Sequence, residues 1–127
     1  MDTLEFIQRV LPNQGRYCTF WVNPVDDRKR QSILPTKAGL AEKCIGLSNN
    51  GNDTFNALAS FGDEDNRKKV NALYIKSFFL DIDCKDPERD YADWKEAVQE
   101  LAKFVEHTSL PRPVIVRSGV GLSLIHI

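Results

Sequence analysis

The sequence predicts an α/β (α+β) fold, and three observations carry that expectation. Residues 76–86, KSFFLDIDCKD, end an apolar run on two aspartates spaced one residue apart. Residues 91–107 then keep apolar side chains at helical spacing, and VIVRS at 114–118 returns to β-branched composition. Strand, helix, strand in that order is a βαβ unit, whose two strands run parallel within one sheet.

Each element follows from its own pattern. TLEFIQRVL (3–11) places Leu4, Ile7, Val10 and Leu11 on one helical face, and Pro12 stops it with Gly15 following. RYCTFWV (16–22) is β-branched and aromatic, which predicts a strand. NPVDDRKRQS (23–32) has the charge of a solvated connection, and LPTKAGLAEKC (34–44) fits a short helix behind Pro35. NNGND (49–53) is a turn signal, TFNALASF (54–61) a strand, and GDEDNRKKVNA (62–72) an exposed loop.

LYIKSFFLDIDC (73–84) reads as one long strand. Its even positions Phe78, Leu80, Ile82 and Cys84 form an apolar face, and Ser77, Phe79, Asp81 and Asp83 form the other. That wholly apolar face predicts a strand interior to its sheet. KDPER (85–89) breaks it. Asp90 is then placed to cap a helix from Tyr91 to His107, with Asp93 in the first turn and Tyr91, Trp94, Val98, Leu101, Phe104 and Val105 forming its apolar stripe. SLPRP (109–113) ends the helix. No internal repeat, low-complexity segment or domain boundary stands out.

Composition narrows the function. The chain has 127 residues, 42% hydrophobic and 28% charged, enough for a buried core in a soluble domain. Seventeen basic against eighteen acidic side chains give a net charge of −1, so no global basic field marks a nucleic-acid partner. Cys18, Cys44 and Cys84 are odd in number and contain no C-x-x-C, which argues against a zinc ribbon or a disulfide framework. Reduced thiols in a cytoplasmic protein fit better. The acidic N-terminus lacks a signal peptide's apolar region, and no apolar stretch reaches membrane-span length.

Two constellations can carry chemistry. Asp81 and Asp83 point the same way, about 6.6 Å apart along the strand, a spacing from which two carboxylates can share divalent ions. Hard oxygen ligands suit Mg²⁺ or Mn²⁺ rather than zinc. Read plainly, the same pair can instead be polar punctuation before a turn. RSGVG (117–121) follows a strand with glycines, so backbone N–H groups can approach a phosphate, with Ser118 and Arg117 adding donors. An ordinary glycine turn is the other reading of that motif. In a βαβ unit both motifs reach the carboxyl-terminal edge of the sheet, where such folds bind ligands. Arg89, before the helix, can reach a phosphate or stay in solvent. Cys84, His107 and Trp94 read as structural.

The order of these motifs resembles the primase–polymerase domain of the archaeo-eukaryotic primase superfamily, in the forms found in phages, plasmids and mobile elements. The resemblance runs through hydrophobic-D-x-D-C, a linker with a basic residue, Y-x-x-x-x-E-A, L-P-x-P and V-x-S-G-x-G across 76–121. RVLPNQGRYCTFWV and TFNALASF are similar to the upstream part of the same proteins. It implies a core like an RNA-recognition motif with an N-terminal α/β extension, incomplete at the C-terminus. It also implies nucleotidyl transfer from (d)NTPs to a DNA primer or an initiating nucleotide in replication. Asp81 and Asp83 would be catalytic metal ligands for Mg²⁺ or Mn²⁺. Ser118, Gly119 and Gly121, with Arg117 and more loosely Arg89, would bind the nucleotide. Template and primer DNA are the implied partners, with a fused or separate helicase a further one, in the cytoplasm of a bacterial or phage-infected cell.

The departure is at position 123. The second motif of the superfamily continues S-G-x-G-h-H (h apolar), but residue 123 is Ser, and His126 is out of register. LSLIHI resembles a translated adapter read-through, so residues 1–122 are expected to be the primase–polymerase part and 123–127 a non-native tail. The chain as it stands is then expected to be catalytically incompetent. Two other readings remain: a metal-dependent RNase H-like nuclease, which leaves VRSGVG unexplained, and a non-catalytic nucleotide- or nucleic-acid-binding replication module.

Overall fold

The computed structural model describes residues 1–84, 88, 91, 93–117 and 121–126. The architecture is mixed α+β, and the chain divides into two compact units, Met1–Lys76 and Ser77–Ile127. No helix among the described residues is long and apolar enough to cross a membrane.

The first unit opens with α1, Thr3–Val10. Asp2 caps it, its Oδ1 accepting from Glu5 N–H at 2.7 Å, and Glu5 and Arg9 pair one turn apart at 2.9 Å. Leu11 turns extended ahead of Pro12, and Ile7, Val10 and Leu11 are fully buried, as the helical spacing predicts.

β1 (Arg16–Val22), β2 (Lys29–Leu34), β3 (Asp53–Phe61) and β4 (Ala72–Ile75) form an antiparallel sheet in the order β2-β1-β3-β4. The charged connection of 23–32 is therefore only half loop. Asn23 and Asp26 build a turn: the Asn23 side chain accepts from Val25 N–H, the Asp26 side chain accepts from Arg28 N–H, and Asp27 takes φ +54°. From Lys29 the chain pairs with β1. An edge strand tolerates such charge because one of its margins faces water.

α2 (Lys37–Asn49) is capped by Thr36, whose Oγ1 accepts from Gly39 N–H at 3.0 Å, and it ends before Gly51 at φ +77°. It packs on one sheet face, where the Cys44 thiol donates to Asn56 Oδ1 at 2.9 Å and lies 3.5 Å from Thr19 Oγ1. Tyr17 and Thr19 thus face the helix, and Cys18 and Phe20 face away.

The expected long strand over 73–84 is two strands. β4 ends at Ile75, and β5 (Phe78–Asp83) belongs to a different sheet. That sheet, in the second unit, has the order β5-β7-β6, with β6 at Val114–Arg117 and β7 at Gly121–His126, every pairing antiparallel. β5 and β6 consequently run parallel to each other within one sheet, as the strand–helix–strand pattern predicts, but with β7 between them. Residues 123–126, set apart above as a tail, lie in that middle strand.

Two expectations need correction. β5 is an edge strand of its sheet, and its even face is not buried, with Phe78 77% and Leu80 45% exposed. Alternation identifies a face that would gain from cover; it does not supply the cover. α3 runs Trp94–Thr108, capped by Asp93, whose Oδ1 accepts from Glu96 N–H at 2.9 Å. Asp93 is therefore the cap itself, not a first-turn residue, and Tyr91 precedes the helix. Asp90, the expected cap, lies outside the described residues. Ala97 and Leu101 are the buried residues of α3, and Ser109 closes it at φ +54°.

Candidate metal and nucleotide site

The register of the three-stranded sheet brings the two sequence motifs to one edge. Asp83 is opposite Gly121 and Asp81 opposite Ser123, across the β5–β7 ladder. On the other side of β7, Arg117 is opposite Leu122. Gly121 and Leu122 are consecutive, so β5 and β6 end at the same margin of the sheet, about 10 Å apart across the strand between them. β6 ends there at Arg117 and β7 begins there at Gly121. Ser118 and Gly119 lie outside the described residues, as does Arg89. Of the nucleotide-binding candidates the structure places only Arg117, at the end of β6, and Gly121, at the start of β7.

Asp81 and Asp83 are both exposed and share a strand face by the period of two. β5 borders a cavity of about 530 Å³ lined by Asp81, Asp83 and Glu100 together with Leu80, Leu101 and Phe104. Glu100 was not singled out from the sequence. It stands three residues after buried Ala97 and beside buried Leu101, and a carboxylate flanking an apolar helical stripe was its available signal. Tyr91, expected inside the helix stripe, instead lines the same cavity ahead of the helix.

Chemically, two exposed carboxylates on one strand face can hold a hard divalent cation that keeps water or substrate oxygens as its other ligands, which is how Mg²⁺ is commonly bound. Among the described residues no group of three or more His, Cys, Asp or Glu side chains is close enough to form a complete protein cage. Glu100 is engaged elsewhere, 2.5 Å from Lys103 Nζ. The donors among the described residues fit a shared, open cation site.

No family model, curated protein or solved structure matches the chain.

Proposed function

We propose that the chain carries the first two motifs of a DNA primase–polymerase, a nucleotidyltransferase that uses (d)NTPs and Mg²⁺ or Mn²⁺. One observation supports the reading most directly: the register sets Asp83, the end of the D-x-D strand, opposite Gly121, the last glycine of S-G-x-G. The strand order adds support. A strand, a helix, a parallel strand one place removed and an antiparallel strand between them is the first part of a split βαβ sheet. In an RNA-recognition-motif-like core a further strand would pair with the open edge of β5.

In this reading Asp81 and Asp83 hold the cation, which when bound neutralises phosphate charge and lowers the pKa of a hydroxyl nucleophile. Ser118 and the backbone N–H groups of Gly119 and Gly121 approach the triphosphate, and Arg117 and Arg89 add positive charge around it. The work of such a site is positioning and charge neutralisation more than covalent chemistry. Ser123, across the ladder from Asp81, favours a second reading. The residue type expected there is His, so the chain would bind nucleotide without incorporating it.

Mn²⁺-dependent binding of a dNTP to the full chain, followed by calorimetry, tests the assignment. Asp81→Asn and Asp83→Asn should each weaken binding at least about tenfold, since each removes one anionic ligand. Undiminished binding in both variants would sink the metal-ligand assignment. Binding without incorporation on a primed template is the outcome of the second reading.

A further inference from the structure

In the first unit, the sheet face turned away from α2 carries an aromatic pair. Phe20 on β1 and Phe55 on β3 are register partners, which puts their side chains on the same face. Their ring centroids are 5.2 Å apart and the planes differ by 12°. Phe20 is half-buried, but Phe55 is 47% exposed, an apolar ring left largely to solvent on an otherwise paired strand.

A cation is held against this pair. The Arg67 guanidinium carbon lies 4.0 Å from the Phe20 ring centroid, a cation–π arrangement. Arg67 belongs to a segment, residues 63–69, with six charged side chains in seven, and that segment is braced from both ends. Asn71, itself buried, donates to the carbonyls of Glu64 and Asn66, both at 2.7 Å. Arg16 donates to the Gly62 carbonyl at 2.8 Å, the Asp65 carboxylate at 2.8 Å and the Glu64 carbonyl at 2.9 Å. Solubility alone asks for no such bracing. Its effect is to fix a guanidinium beside the rings.

The charges around the pair favour an anionic partner with flat groups to stack. Lys29 is the register partner of Val22, two residues along the same face from Phe20, with Asp53 across from Val22 on the other side. Lys68 and Lys69 follow Arg67 directly. Two acids of this unit are ion-paired, Asp65 with Arg16 at 2.8 Å and Asp26 with Arg30 at 2.7 Å.

We propose that this face binds single-stranded nucleic acid, a base stacking on Phe55 while flanking phosphates contact Arg67 and Lys29. Every base has a π-face, so such a platform needs no sequence. A duplex keeps its bases stacked inside and offers the ring nothing but backbone. The proposal goes beyond the metal site and uses none of its residues.

Fluorescence anisotropy of the full chain with a labelled oligothymidylate of about 15 nucleotides, and with a duplex of the same length, reads it out. The single strand should bind in preference to the duplex and weaken as salt rises from about 50 to 200 mM. Phe55→Ala should lose about tenfold in affinity by removing the stacking surface. Phe55→Trp should retain binding and show quenched fluorescence when DNA is added. Arg67→Gln should weaken binding several-fold and flatten the salt dependence. Absence of binding at low salt, or Phe55→Ala binding as tightly as the parent, overturns the proposal. A salt-independent interaction overturns it too. Asp81→Asn leaves this binding unchanged while losing metal-dependent dNTP binding, so each reading fails in its own assay.

Discussion

Cys18 lies at 0% exposure in the middle of β1, and burial pushes its thiol pKa up, with Arg67 pulling it partly back. As pH rises through the ordinary thiol value, about 8.5, the unfolded chain loses its proton first and folded Cys18 keeps it. Fewer protons on the unfolded state mean that stability falls with rising pH across that window. Urea midpoints between about pH 7.5 and 9.5 should therefore fall more steeply for the parent chain than for Cys18→Ala. Equal slopes would refute the linkage. Native-state labelling should mark Cys84, half-buried, well before Cys44 or Cys18. The residue pattern allowed three reduced thiols but did not separate them by depth. Cys84 read as a core residue by its place on an apolar face, whereas Cys18 and Cys44 are the buried ones. Alternation shows which side chains share a face; only the packed elements decide which faces are covered.

At the scale of elements, helix limits depend on single side chains. Asp93 accepts from Glu96 N–H at the start of α3, so Asp93→Ala should cost about 1 kcal/mol of local stability. Lower helical ellipticity and faster amide exchange over 94–97 would register that loss; no change in either would show that the cap contributes nothing. Reading Asp90 as the cap set the expected helix start at Tyr91, three residues before the observed Trp94. β1, β3, α1 and the β5–α3–β6 succession were legible because the helices keep a clear period and the strands are apolar, β-branched or aromatic runs between turn signals. β2 was not, because KRQS has no apolar alternation and is strand by pairing with β1. The break between β4 and β5 was hidden because LYIKSFFL has no proline or glycine to mark it. The site was legible as two motifs. That Asp83 falls opposite Gly121, however, depends on β7 pairing between β5 and β6, and Glu100 and Tyr91 reach the cavity through α3 and its approach.

Across the whole molecule, the two units differ in how well their apolar groups are covered. In the first, Leu11, Cys18, Thr19, Leu40 and Ser60 are nearly inaccessible, and the sheet is backed by α2 on one side and crossed near Phe20 by the Arg67 segment on the other. Gly15, at φ +93°, passes so close that an added Cβ would lie 2.8 Å from Ser60 Oγ. In the second unit, Phe78, Phe79, Trp94, Phe104 and Ile115 are all exposed, and among the described residues β5 is paired along one margin only. Burial of apolar area is the main term that resists local opening, at roughly 25 cal/mol per Å². Strand amides in β1 and β3 should accordingly open only with the first unit as a whole, and those of β5 and β6 through easier local events. Native-state hydrogen exchange on the full chain should show protection at least about tenfold greater in β1 and β3 than in β5 and β6. Adding Mn²⁺ and a dNTP should raise protection selectively at the Asp83 end of β5, because a ligand stabilises the state that binds it. Uniform protection across both units would contradict the difference in cover, and ligand-induced protection confined to the first unit would contradict the placement of the nucleotide site.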